Sequence, residues 1–378
     1  MSAKPAMSNI SLALLIASAM LVAFTVRESF AADAPVITRL KVAGKFTAPN
    51  SEDDKKPRGI SGMTCLGKPA DASRECLIIN DEERFGEIVT LTNEGVATTG
   101  KTIKFVEKGE AGKDVLGEAQ DPNCKDKGVV AKPSKFDELD GEGVATVGDA
   151  IYVASSHSCT GGGKYKPSSF LLVRFKANNA TSFKGESEPV LERSWRLADV
   201  LLGSEVKEVR EAYGKPKGEG INIEGIAVTG GRLYAGLRTP TASTEAFIVS
   251  APVEDLFATG HERLKAGIKT FRVELGANTG IRDLAALGND RLLVLAGPTG
   301  NQAGVEYKLW LLDKPVDGAK KSLLATITTT TIGGDGEAGK AETVVVLEET
   351  PDRLKVLVLY DNLDEGEPTQ YDIRLGPK

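Results

Sequence analysis

Along most of the chain, apolar and polar residues alternate in short runs rich in Val, Ile, Leu, Thr and Tyr, separated by clusters of Gly, Asp, Asn and Pro. A period of two predicts strands, and so many short runs predict an all-β protein. One unit recurs: a polar residue, a small residue, an apolar strand, a tight turn and a second apolar strand ending in polar side chains. It spans residues 61–81, 142–156, 224–238, 282–296 and 342–360. Further strand-like runs follow each copy, for instance 170–175 with 190–195 and 247–250 with 270–275. Four strands per copy is the make-up of a propeller blade, so the expected fold is a β-propeller of five four-stranded blades.

The copies begin at Ser61, Glu142, Glu224, Arg282 and Glu342, giving spacings of 81, 82, 58 and 60 residues. Six or seven blades is the alternative count, and length alone, at about 40–50 residues per blade, favours more than five. The hairpins decide for five, and the excess falls into two insertions. Residues 107–139 are rich in Gly, Asp and Lys with little apolar periodicity, and residues 197–218 form the second insertion. There Leu197, Val200, Leu201, Val206 and Val209 follow helical spacing ahead of Gly214, which predicts a helix over 197–213. The fifth copy supplies one further run, 370–375, while a spare strand stands at 36–46. That strand is expected to complete the fifth blade, because closure pairs backbone groups that an open ring would leave on two exposed edges.

The first residues carry Lys4, an apolar run over 10–26 and small side chains around Ser29, Phe30 and Ala31. This reads as a signal peptide over 1–31, cleaved after Ala31, and leaves a single propeller domain over 32–378. A retained membrane anchor is the alternative. Nothing further along the sequence is long and apolar enough to insert in a bilayer, so the cleaved chain is expected to be periplasmic or secreted.

Charge is mildly acidic, with 47 Lys and Arg against 53 Asp and Glu, and the basic residues are interspersed with acids. Nucleic acid is therefore excluded as the main partner, since neutralising phosphates needs clustered Lys and Arg. All four cysteines, Cys65, Cys76, Cys124 and Cys159, lie beyond the leader, and in an exported chain an even count predicts disulfides. Of the three pairings, Cys65 with Cys76 is favoured because both fall on short apolar runs joined by a turn-rich loop, which leaves Cys124 with Cys159. A zinc site is the rival reading, against which stand the absence of any CxxC pair and a total of two histidines.

Asp140-Gly-Glu-Gly-Val-Ala followed by Ser155-Ser-His-Ser, Asn222-Ile-Glu-Gly-Ile-Ala followed by Gly236-Leu-Arg-Thr-Pro, and Gly280-Ile-Arg-Asp-Leu-Ala carry a resemblance. From about Gly59 to the C-terminus the chain resembles the bacterial family known as domain of unknown function 3616. That resemblance implies a β-propeller and no particular reaction. The Glu-Gly-x-Ala hairpins are also similar to propellers with phytase-like esterase activity, which implies phosphoester chemistry assisted by calcium.

In a propeller the first strand of each blade lines the central channel, so equivalent residues form a ring at one mouth. The expected ring is Ser61, Glu142, Glu224, Arg282 and Glu342, with Asp81, Ser156, His157, Arg238, Asp283 and Asp361 close by. Three carboxylates facing a guanidinium would not stay unpaired, because an uncompensated buried charge is strongly unfavourable. One reading is a site. Glu142, Glu224, Glu342 and Asp361 would hold calcium, while Ser156, Arg238, Arg282 and Asp283 would bind a small anionic ligand. Hydrolysis of an ester or phosphoester would then rest on Glu142, Glu224 and His157 as the proton-handling candidates. The other reading is structural: the ring ties blade to blade, and the protein is a non-enzymatic interaction module for another envelope protein.

Overall fold

The computed structural model describes Met1 and residues 34–46, 59–110, 112, 114–122, 124, 135–183, 188–328, 331–333, 336 and 338–376. Apart from Met1, the expected leader lies outside the described residues. The alternating runs form five small sheets arranged as the blades of a propeller, so five is the blade count. Each blade is an antiparallel meander beginning at the axis. The inner strands are Ile60–Cys65, Gly141–Val147, Asn222–Thr229, Thr279–Leu287 and Lys340–Glu349.

The ring closes as the spare strand predicts, with one difference. Val36–Arg39 pairs antiparallel with Thr369–Arg374 and becomes the outer strand of the fifth blade. The chain then bends, and Lys41–Ala43 pairs in parallel with the outer strand of the first blade, Gly95–Lys104. The expected single strand over 36–46 is therefore two short ones that strap the last blade to the first. The second blade likewise gains a fifth strand, Val115–Leu116, from the insertion read as lacking periodicity. A two-residue strand is too short to leave a periodic trace in sequence.

The apolar alternation is spent between blades. One buried cluster joins the first three blades, and another packs Ile281, Leu292 and Val294 of the fourth against Ala227 and Ile248 of the third. A third joins the fourth and fifth, and a fourth packs Ile60, Met63 and Ile78 of the first against Val345, Leu357 and Leu359 of the fifth. Burying apolar surface at every seam, the fifth-to-first included, is what holds a closed ring together.

The second insertion is helical but broken. Two helices, Arg196–Leu202 and Lys207–Ala212, replace the one expected over 197–213. The break falls at Gly203-Ser204, where the Ser204 Oγ accepts the Val206 N–H at 3.1 Å and also bonds Thr270 Oγ1 at 2.7 Å. A serine that hydrogen-bonds its own backbone competes with the helix ladder. Both disulfides pair as favoured: Cys65–Cys76 bridges adjacent strands of the first blade, and Cys124–Cys159 ties the first insertion to the second blade. Disulfides of this kind form and persist in oxidising compartments. Among the described residues no helix is long and apolar enough to cross a membrane.

Candidate functional site at the axial mouth

Every inner strand carries a β-bulge at the same place, and the bulged residue is each time the predicted ring residue. The pairing of inner strand to second strand steps over Ser61, Glu142, Glu224, Arg282 and Glu342 in turn. A bulge frees one residue from the ladder and re-aims its side chain, so five bulges deliver five side chains to one axial mouth. The next residue shows why the sequence places glycine there. A Cβ on Gly225 would lie 2.4 Å from the Asp283 Cα, so only glycine lets neighbouring inner strands approach this closely.

Carboxylate oxygens of Glu142, Glu224 and Glu342 all lie within 4.8 Å of one another, and the three residues are buried. Arg282 joins them: its Nη2 stands 3.4 Å from Glu224 Oε2 and in direct contact with Glu342 Oε1. Glu224 is the most heavily bound. Its Oε1 accepts from Arg238 Nη1 at 3.0 Å and from Asn222 Nδ2 at 2.6 Å. Arg238 is fixed in turn by donating Nε to the Thr299 carbonyl at 3.0 Å. Ser61 turns its hydroxyl back to the Gly59 carbonyl at 3.4 Å and contributes no charge.

A sixth group, Lys217, escaped the sequence reading. It sits at the end of the second insertion, in the loop after the helix Lys207–Ala212, and its Nζ reaches Glu142 Oε1 at 3.8 Å. Its position depends on a disulfide. The Lys217 N–H donates to the Cys159 carbonyl at 3.2 Å and Pro216 bridges to Cys159, which Cys124 secures from the other side. Tyr307 also belongs here, since a Cβ on Gly297 would fall 2.5 Å from its ring and 3.1 Å from Arg282 Cγ.

These partners split the acids. Burial pushes the Glu142 carboxyl well above the usual range; the nearby Glu224 adds to the rise, and Lys217 offsets only part of it. Glu224 is equally buried, yet the Arg282 and Arg238 guanidiniums outweigh burial and hold it below the usual range. Around them, burial lifts Asp81 to about 7, against the opposing Lys217, and raises Asp140 and Asp361 as well. Lys217 is itself held above the ordinary lysine value, because its carboxylate neighbours, Glu142 first, outweigh its burial.

The remaining predicted residues are placed as follows. Asp361 is half-buried beside Asp81: a Cβ on Gly59 would lie 2.6 Å from Asp81 Oδ1 and 3.7 Å from Asp361 Oδ1. Ser156 donates its hydroxyl to Asp140 and accepts the Ser158 N–H, so it shapes the rim. Asp283 follows Arg282 in sequence but diverges from it across the bulge. Both its oxygens accept backbone N–H groups, of Leu284 and of Val344, each at 2.7 Å, which laces the fourth blade to the fifth. His157 is buried with its ring edge-on to Phe170 and its Nδ1–H donating to the Ser155 carbonyl at 2.9 Å. Burial lowers it to about 4, and no ion pair or hydrogen bond among the described residues joins it to the acids.

Comparison with known proteins gives one family-model match, over part of the chain, and solved structures of low similarity. No curated protein matches the chain. Among solved structures, the α-L-arabinofuranosidase of Podospora anserina is 8% identical with a TM-score of 0.40, over 90% of this chain and 98% of that one. A GH43 β-1,3-galactosidase is 9% identical with a TM-score of 0.44, over 86% and 95%. The α-L-arabinanase of Penicillium chrysogenum is 7% identical with a TM-score of 0.35, over 90% and 98%. Residues 198–372, which hold the third, fourth and fifth inner strands, match the model of the family described as protein of unknown function, DUF3616, and this supports the resemblance read from the hairpin motifs.

Proposed function

We propose that the axial mouth binds a small anionic ester and hydrolyses it, in the periplasm or outside the cell, with Glu142 as the proton donor. The observation that carries this reading is the layering of charge. Lys217 and Arg238 are 40% and 20% exposed, whereas the side chains of Glu142 and Glu224 beneath them are 4% and 2% exposed. A ligand arriving from solvent meets cations, which favours a phosphate or carboxylate. Beneath lie two carboxyls whose proton affinities are shifted in opposite directions, Glu142 upwards by burial and Glu224 downwards by its guanidinium partners, an arrangement that separates acid and ion roles. Glu142 gives its proton to the leaving oxygen as that bond breaks. Water attacks the phosphorus or carbonyl carbon, and its proton returns to the Glu142 carboxylate. Glu224 stays ionised and holds the two guanidiniums in place. Asp81, with a pKa of about 7, is a second group able to take a proton near neutral pH.

A second reading rests on the three carboxylates within 4.8 Å of one another, which could gather a hard cation. Calcium takes 6–8 oxygen ligands. Here Arg282 already stands against Glu224 and Glu342 as their counter-charge, so the acids fit a guanidinium better than calcium.

The test uses nitrophenyl phosphate and nitrophenyl carboxylic esters. Glu142→Gln should lower kcat by about 10²–10⁴-fold, and Lys217→Met should chiefly raise KM. Turnover that survives Glu142→Gln unchanged, or the absence of turnover with every ester, would contradict the hydrolytic reading. A thermal shift with Ca²⁺ that is lost in Glu342→Gln would favour the metal reading instead.

A further inference from the structure

Below the polar ring, towards the C-terminal ends of the inner strands, lies an axial cavity of about 170 Å³. All five blades line it, largely with apolar side chains such as Met63, Val144, Ile226 and Leu284. Polar atoms form at least as much of its exposed wall as apolar atoms do. Thr64 donates its hydroxyl to Thr146 at 3.0 Å, and one guanidinium, Arg74, reaches the wall.

Arg74 is 7% exposed and donates Nη2 to the Val346 carbonyl at 3.0 Å. It has no carboxylate partner within ion-pair distance among the described residues. Asp71, the acid that acts on it, accepts the Lys68 N–H through Oδ2 at 2.7 Å. Asp71 thus balances the Arg74 charge only from beyond ion-pair distance, and a carboxylate in the cavity would pair with the guanidinium directly. The loop over 66–72 flanks the opening, with Gly67 donating to Ala180 of the second blade at 2.7 Å and Ala70 to Leu347 of the fifth at 2.6 Å. That loop is closed at its base by Cys65–Cys76.

We propose that this distal cavity binds a small monocarboxylate, its apolar body among the inner strands and its carboxylate on Arg74. A cavity of roughly 150 Å³ has room for a benzene ring, so by size alone a body of about six non-hydrogen atoms suits this one. The site is separate from the polar mouth and independent of any reaction there.

Titration calorimetry on the full chain with benzoate, hexanoate and benzyl alcohol tests it. Benzoate should bind at least tenfold more tightly than benzyl alcohol, and Arg74→Gln should remove that preference. Because Arg74 also braces the fifth blade, Ala285→Leu gives an independent arm. It fills the cavity from a half-buried lining position, leaves Arg74 in place, and should abolish benzoate binding. No benzoate binding, equal affinity for acid and alcohol, or binding retained in Ala285→Leu but lost in Lys217→Met would each overturn the proposal.

Discussion

Replacing Arg282 with methionine should destabilise the fold by about 3–5 kcal/mol, the range for breaking a buried pair from one side. Arg282 is 1% exposed, and among the described residues it alone pairs with both Glu224 of the third blade and Glu342 of the fifth. Without it two buried carboxylates face each other, and Glu224 keeps Arg238 and the Asn222 amide as partners. The loss should depend on pH in a defined direction. The folded pKa of Glu224 is depressed, so its contribution is present above the unfolded value of about 4.3 and is lost as pH falls through the folded value. Urea unfolding at pH 7 and at pH 4 should therefore show a smaller gap between wild type and variant in acid. Adding Glu342→Gln to Arg282→Met should recover part of the loss at pH 7, since one stranded charge is removed. An Arg282→Met protein as stable as wild type at pH 7 would mean that the ring charges do not interact.

The second large effect belongs to the Cys124–Cys159 bridge. It closes a loop with a sequence separation of 35, and in the chain-entropy account such a loop is worth about 3–4 kcal/mol. Cys124→Ser with Cys159→Ser should cost that much in unfolding and should also release the segment that presents Lys217. Any ester turnover should then show a raised KM similar to that of Lys217→Met. The Cys65→Ser with Cys76→Ser pair closes a shorter loop, with a separation of 11, at the opposite end of the axis. It should cost somewhat less stability and leave KM unchanged, and this separates positioning of Lys217 from general loosening.

How far the site could be read in advance follows from what the repeat encodes. Blade count and ring membership were legible because each hairpin repeats a polar residue at the bulge and apolar alternation after it, with glycine directly after the bulge in the first three. Glu142-Gly143 and Glu224-Gly225 state that pattern in two letters each. Asp283 was misleading for the same reason. Adjacency in sequence suggested a shared site with Arg282, but across a bulge neighbours part, and Asp283 spends its oxygens on backbone N–H groups. Lys217 left no signal because it belongs to an insertion outside the repeat, and only a disulfide and a bridge at Pro216 bring it to the mouth. The predicted pairing of Cys124 with Cys159 held the clue, since it ties the first insertion to the end of a second-blade strand. His157 stands beside Ser156 in sequence, yet its ring enters the aromatic group around Phe170 instead. No periodicity distinguishes those two destinations for one loop residue.

Carbon-detected NMR titration of the glutamate carboxyls measures the central feature directly: two acids from adjacent blades, within 4.8 Å of one another, whose pKa values are shifted in opposite directions. The resonance lost in Glu142→Gln should titrate well above the ordinary glutamate value of about 4.3, and the one lost in Glu224→Gln should titrate below it. Two ordinary, independent titrations near that value would show that the five bulges do not gather these side chains into one charged mouth.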